Sequence, residues 1–566
     1  MYCKATYNKE SKNAMGTPNQ LLNGGQILAN ALIRQGAELG FGVPGESFLP
    51  LLNGLVDHPK FQFVTCRQEG GAAYMAEAYA KLTGKPGIVM VTRGPGASNA
   101  MIGIHTAYQD STPMVLLVGQ VGTDMVEREA FQEIDYRRMY SECAKWVGSI
   151  DRVDRIDEFV SHAFHVAQAG RKGPVVLALP EDVLYMMGSE HPVAAAHIVQ
   201  PGLDQEAFLQ AMSHFSAAKN PMMIAGGGNW SKVPCDHLKK WANREGLPVA
   251  TSFRSQDLID NLDPCFAGDL GIGANPALVK RIKEADVLLV IGERLGEMTT
   301  AGYSILTPPQ IKAKLIHVLS GPEELGRVYR PDFAINCSPD HFCKALTEIS
   351  MGGQYDRQAM TTAHTEYLTF SAPVTVPGDL QLAQIMSSLK ELIPRNAIVT
   401  NGAGNFATWV HRFYPYGDMR TQLAPANGSM GYGLPAAIAA KLVHPDRVVI
   451  AVCGDGDFMM NCQELATAAR YGAYPIILVV NNSMLGTIRM HQEREFKSRV
   501  IATELTNPDF IKFADSFGIP AFRVSKTEEF AAAFSEAMAS NQGALIELVQ
   551  DQEVISPSKL LSQLGQ

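Results

Sequence analysis

At 566 residues the chain is too long for one hydrophobic core, which stops growing at roughly 250–300 residues, so several domains are expected. Hydrophobic residues at 46%, charged ones at 19% and 50 glycines describe a compact α/β protein and exclude a disordered or fibrous one. A formal net charge of −9 with no lysine or arginine run leaves no electrostatic footprint for nucleic acid or anionic lipid, so small molecules are the expected partners.

Residues 1–20 are polar throughout, lack the apolar stretch of a signal peptide and are expected to be loose over roughly the first fifteen positions. No run reaches the roughly 18 apolar residues of a membrane helix. The nine cysteines, from Cys3 to Cys462, are scattered and never spaced as a CxxC pair. These features fit a cytoplasmic protein without a membrane partner.

Short β-branched apolar runs then recur between glycines and prolines: Ile88–Thr92, Met114–Val118, Val175–Leu179, Met222–Ala225, Val287–Ile291, Leu315–Val318, Val448–Val452 and Ile476–Val480. Without apolar/polar alternation they read as parallel strands covered on both faces. Helical patterns lie between them, among them Gly71–Leu82, Asn99–Tyr108, Pro276–Glu284, Pro435–Leu442, Cys462–Tyr471 and Glu528–Ala539. Strand and helix alternating in this way predict doubly wound sheets. Two stretches read as linkers, Gly188–Asp204 and Gly352–Asp379, the second punctuated by Pro373 and Pro377-Gly378. The expected plan is therefore α/β with three doubly wound parallel-sheet domains, over residues 20–188, 204–350 and 379–556.

In chain order, the first candidate is Glu69, where a short strand leads into the helix Ala72–Leu82. Acids favour the first helical turn for the dipole alone, so position by itself does not separate a cap from a catalyst. The middle domain has Ala225-Gly226-Gly227-Gly228 after a strand and Gly268-Asp269-Leu270-Gly271-Ile272-Gly273, either of which could cradle a nucleotide or be a turn. In the last domain Asn401-Gly402-Ala403-Gly404-Asn405-Phe406 follows a strand, and Asn427-Gly428-Ser429-Met430-Gly431 sets small residues around one methionine. Such a stretch lets the backbone approach a flat ring while a soft side chain packs beneath it.

The sharpest signal is the strand from Val448 running into Gly454-Asp455-Gly456-Asp457-Phe458, with a helix expected at Cys462. Strand, glycine turn and helix start make an anion site. Asp455 adds a hard oxygen ligand for magnesium. The next strand ends in Asn481-Asn482, and in a parallel sheet neighbouring carboxyl ends sit together, which brings the Asn482 amide oxygen to the same ion. Each piece alone reads as a turn with a capping residue; the joint pattern favours a metal and diphosphate site.

GDG, a gap of this size, then NN resembles the signature of the thiamine-diphosphate enzyme family. That resemblance implies three domains of pyrimidine-binding, central Rossmann-like and diphosphate-binding type. It implies Mg2+ held by Asp455, Asn482 and the carbonyl of Met484, with Gly456 and Asp457 in the phosphate turn and Gly404 and Asn405 reaching the diphosphate. Gly428 and Met430 would hold the coenzyme in its folded shape, and Glu69 would hydrogen-bond its aminopyrimidine from another subunit, so a homodimer or homotetramer is expected. The nearest branch is that of the acetolactate (acetohydroxyacid) synthases, on Phe41–Gly45, Thr92–Asn99, Gly119-Gln120-Val121 and Phe131-Gln132-Glu133. There Lys145 is a candidate to hold a substrate carboxylate, or else an ordinary exposed lysine. Gln132 is a positioning amide or a loop residue. The branch also implies FAD in the middle domain.

Departures from the branch are Gln68 in place of histidine, Arg93 in place of serine, His491 in place of tryptophan and the second carboxylate Asp457. They touch substrate recognition more than coenzyme activation. The implied activity is decarboxylation of pyruvate or a related 2-oxo acid and ligation of the acyl unit to a second carbonyl compound. The alternative is a benzoylformate- or oxalyl-CoA-type decarboxylase or lyase that stops before ligation.

Overall fold

The computed structural model describes residues 21–352 and 355–564, so the expected loose N-terminus and Cys3 lie outside the described residues. All eight apolar runs are strands, with bounds shifted by a residue or two. They belong to three six-stranded sheets in which every pairing is parallel.

The first sheet contains β1 (Leu39–Gly42), β2 (Gln62–Thr65), β3 (Gly87–Val91), β4 (Met114–Gln120), β5 (Trp146–Ser149) and β6 (Pro174–Pro180), in the order 2-1-3-4-6-5. Its helices include α1 (Glu69–Thr83), α2 (Gly94–Asp110) and α3 (Ile156–Gln168). The central sheet contains β7 (Pro221–Ala225), β8 (Val249–Thr251), β9 (Phe266–Asp269), β10 (Val287–Ile291), β11 (Lys314–Leu319) and β12 (Phe333–Asn336). Its order, β9-β8-β7-β10-β11-β12, is the 3-2-1-4-5-6 order of a dinucleotide-binding sheet.

The stretch Gly352–Asp379 is not simply a linker: it contains α4 (Arg357–Phe370), on which Met360, Ala363 and Tyr367 are buried. The Tyr367 ring meets Phe266 of β9 edge-on at 4.8 Å. These buried positions, spaced by three and four, form a narrow apolar face on an otherwise polar helix that ends shortly before Pro373 and Pro377. By contrast, residues 189–204 carry no helix or strand, as expected of a linker.

The third sheet contains β13 (Ile398–Asn401), β14 (Gln422–Leu423), β15 (Val449–Gly454), β16 (Ile476–Asn481), β17 (Ala521–Val524) and β18 (Ala544–Val549). Its order, β14-β13-β15-β16-β18-β17, repeats the 2-1-3-4-6-5 order of the first sheet. Its helices include α5 (Gly433–Val443), α6 (Asp455–Met459), α7 (Leu465–Tyr471) and α8 (Gly486–Glu495). Helices α1 and α5 are rich in glycine and alanine, buried almost throughout, and pack on each other in a core shared by the first and third domains. Small side chains allow that close approach, and it fixes the two domains of one chain as a unit. Among the described residues no helix is long and apolar enough to cross a membrane.

Candidate active site

Strands β15 and β16 are neighbours, with Gly454 opposite Val480, so their carboxyl ends deliver Asp455 and Asn482 side by side. A cavity of about 210 Å³ opens there. Gly404, Asn405, Gly428, Met430, Asp455, Gly456, Asp457, Asn482 and Met484 all line it. The helix expected over Cys462–Tyr471 is present as a 3-10 turn, Cys462–Glu464, leading into α7; ahead of it the glycine turn forms a separate short helix, α6, that begins at Asp455. The first turn of α6 is therefore the glycine turn itself, whose Asp455, Gly456 and Asp457 line the cavity.

Asp455 is buried, and loss of water pushes its carboxyl up, opposed by a bond from Asn507 Nδ2 at 2.7 Å and by backbone amides. Among the described residues no lysine or arginine forms an ion pair with it. A buried carboxylate beside an amide oxygen and a main-chain carbonyl is an oxygen-only donor set, which fits a hard divalent cation. Asn507 escaped the sequence reading; an Asn-Pro pair signals only a turn.

Asp457, expected among the coenzyme-binding residues of the phosphate turn, turns its side chain toward the protein. Its Oδ1 accepts from Gly431 N–H at 2.8 Å and Ala403 N–H at 3.2 Å, bracing the two loops that carry Met430 and Gly404. A Cβ on Gly402 would lie 2.0 Å from that oxygen, so only glycine permits the approach. Burial pushes the Asp457 carboxyl up to about 7, against the two amides. Any phosphate contact at this position falls to its main chain.

Asn405 lines the cavity, yet its amide is engaged elsewhere: Nδ2 donates to Ile555 O at 2.9 Å and Oδ1 accepts from Thr487 at 2.8 Å. Met430 is held from the first domain, because the Tyr74 hydroxyl is 2.7 Å from Ser429 Oγ and donates to Met430 O at 3.2 Å. The Met430 methyl lies 3.9 Å from where a Cβ on Gly456 would stand, over the phosphate turn. His491 sits on α8, which buries no residue, and is half-buried.

Of the first-domain candidates, none lines this cavity. Glu69 is the first residue of α1, half-buried, with Oε2 accepting from Asn99 Nδ2 at 2.9 Å. Gln132 sits nearby: its carbonyl accepts from Gly94 N–H at 3.0 Å, and Gly96, two residues on, lies against the Glu69 carboxylate. Lys145 is placed otherwise than expected. Its Nζ donates to the carbonyls of Val166 at 2.5 Å and Ala169 at 2.6 Å, closing the C-terminal end of α3, and burial lowers its pKa to about 8. It is a helix cap, because the last carbonyls of a helix attract an ammonium more strongly than open solvent does.

A second cavity, of about 540 Å³, opens at the ends of β7 and β10, the switch point of the central sheet. Gly227, Gly228 and Gly292 line it together with Lys172, Arg254 and Arg294, whereas of the Gly268–Gly273 segment only Ile272 does. Gly227 has φ +68 and passes so close to the Gly292 carbonyl that a Cβ would lie 2.2 Å from it. Ala403, Gly404 and Gly428 form a wall common to both cavities.

Strand ends built in this way suit an enzyme that holds a diphosphate-bearing coenzyme through a divalent metal. Comparison with known proteins specifies the coenzyme: residues 22–139 match the N-terminal thiamine pyrophosphate binding domain, 209–346 the central domain and 402–548 the C-terminal binding domain of thiamine pyrophosphate enzymes. The chain belongs to the thiamine pyrophosphate enzyme family. It is 31% identical to the probable acetolactate synthase large subunit of Methanocaldococcus jannaschii, over 94% of this chain and 92% of that protein. It is 30% identical to the mitochondrial acetolactate synthase of Schizosaccharomyces pombe, over 94% and 84% respectively. To the acetolactate synthase isozyme 2 large subunit of Escherichia coli it is 29% identical, over 94% and 96%. It is thus a thiamine-diphosphate-dependent, acetolactate synthase-like enzyme.

Proposed function

We propose that this enzyme decarboxylates pyruvate or a closely related 2-oxo acid and joins the acyl unit to a second carbonyl compound. The observation that carries the reading is the convergence of the phosphate turn, the oxygen donors and Met430 on one cavity. Bound thiamine diphosphate supplies an electron sink beside the substrate carbonyl. Asp455, Asn482 and the Met484 carbonyl hold Mg2+, and the main chain at Gly456 and Asp457 meets the diphosphate. Gly428 and Met430 shape the coenzyme, and Glu69 holds a proton at its pyrimidine ring. Because Glu69 does not line the cavity of its own chain, it serves that of a second copy, and the working unit is a homodimer or homotetramer. Exposed Phe131, Ile488 and Ile501 supply apolar surface for that contact. The glycine- and arginine-lined second cavity takes the diphosphate of FAD or a related nucleotide. The described cysteines are all free, which suits the cytoplasm.

The test is product analysis after incubation with thiamine diphosphate, Mg2+ and a panel of 2-oxo acids. Acetolactate from pyruvate supports ligation; aldehyde alone makes the enzyme a decarboxylase. Undiminished turnover in Glu69→Gln would remove the mechanism.

A further inference from the structure

The turn that presents Glu69 is held by the third domain. Glu464 is fully buried, and its Oε1 accepts from the backbone N–H of Arg67 at 3.1 Å and of Gln68 at 3.0 Å. Its Oε2 accepts from Thr467 Oγ1 at 2.5 Å, which fixes the carboxylate's rotation. Two residues earlier in the turn, Thr65 N–H donates to Tyr471 Oη at 2.8 Å. Gly71, in the first turn of α1, makes room: a Cβ there would stand 2.8 Å from Glu464 Oε1. Two amides immediately before Glu69 therefore end on one carboxylate that follows the metal-side residue Asp455 by nine positions. A buried acid that accepts from three donors is a rigid anchor, since releasing any of them leaves a polar group without water or partner.

We propose that Glu464 is a positioning residue: it fixes the main chain of Arg67-Gln68 and thereby aims Glu69 at the coenzyme. This rests on the reading above that Glu69 acts on the coenzyme. It also means that each third domain, while it holds its own coenzyme, aims the glutamate that its chain lends to a neighbour's site.

Glu464→Gln keeps the volume and one oxygen for both amides, with its NH2 donating to the Thr467 hydroxyl, but it removes the negative charge, so the charge-assisted bonds from Arg67 and Gln68 N–H weaken to neutral ones. In the cofactor-free protein, hydrogen exchange at Arg67 and Gln68 should rise at least about tenfold, because each amide's partner is weakened. In the full enzyme kcat should fall about tenfold to a hundredfold, the scale of a misaimed reacting group. The decisive comparison is Glu69→Gln with and without Glu464→Gln. If Glu464 acts through Glu69, the double variant is as slow as Glu69→Gln alone, within about twofold. Losses that multiply, or unchanged exchange with unchanged kcat, overturn the proposal. Normal turnover in Glu69→Gln itself instead overturns the assignment of Glu69. Should Glu464→Gln not fold, Thr467→Val removes a single donor; its smaller loss of kcat must likewise vanish in the Glu69→Gln background, and a loss that persists there refutes the role.

Discussion

Asp257 joins the central domain to the third, and its ionisation should make the stability of the protein fall with rising pH. It is 8% exposed, and its Oδ2 accepts from Thr421 N–H at 3.0 Å and Gln422 N–H at 3.2 Å. Burial pushes its carboxyl up to about 6, against these amides, which favour the charged form. An aspartate in the unfolded chain titrates near about 3.9, so over the interval between them the folded protein keeps a proton that the unfolded chain has released. The associated stability is complete below roughly pH 4 and is lost as pH rises through about 6. Two units of displacement correspond to about 3 kcal/mol in all.

Asp257→Asn keeps one oxygen for both amides and removes the ionisation. Relative to that variant, the natural protein should weaken by about 1.5 kcal/mol between roughly pH 5 and pH 8, the part of the loss that falls in this range. For a domain of this size that is about 3–6 °C in the melting midpoint. The assay is thermal unfolding of both cofactor-free proteins at several pH values and one ionic strength. Asp269 and Asp457, each pushed up to about 7 by burial, titrate equally in both proteins and cancel in the difference. A difference that stays constant with pH, or that shifts in favour of the natural protein as pH rises, would refute the argument.

Gly402→Ala sets a methyl 2.0 Å from Asp457 Oδ1, so the loops at Ala403 and Gly431 must part. Calorimetry should show thiamine diphosphate bound at least about tenfold more weakly, with part of the affinity regained on adding Asp457→Ser, since the clash is confined to that pair. Lys145→Met should leave kcat/KM within about twofold of the natural enzyme while lowering stability by about 1–3 kcal/mol, because two carbonyls at the end of α3 lose their donor. A large fall in kcat with an unchanged melting midpoint would return Lys145 to the active site.

The parts legible in the sequence are those whose cause is local. A strand covered on both faces loses its alternation, so Val287–Ile291 and its fellows were visible as uninterrupted apolar runs. The phosphate turn was visible because glycine is required wherever a backbone must come close to its surroundings. What stayed hidden depends on partners distant in the chain. Helix α4 draws its buried face from β9, nearly a hundred residues upstream, and its own polar sequence gives little sign of it. Lys145 sits where the family pattern suggests chemistry, yet the end of α3, about twenty residues later, takes its ammonium.

The acids make the point most clearly. Asp257, Asp457 and Glu464 are each buried, each has its carboxyl pushed up by loss of water, and each ends on two backbone amides distant in sequence, those of Asp457 coming from two separate loops. Asp455 shares burial and a raised pKa with these bracing acids, because each holds a carboxylate in a place that water does not reach. The distinction lies in where the oxygens point. Asp455 and Glu69 each accept from an asparagine side-chain amide, Asn507 and Asn99, which for Asp455 adds to backbone amides, whereas each bracing acid has one oxygen that accepts from two main-chain amides. A main-chain amide cannot rotate away to make room for substrate, so an oxygen committed to two of them is unavailable for proton transfer and suited to aiming its neighbours. On this ground the residues to test first for chemistry are Glu69 and Asp455, and those to test for alignment are Glu464 and Asp457.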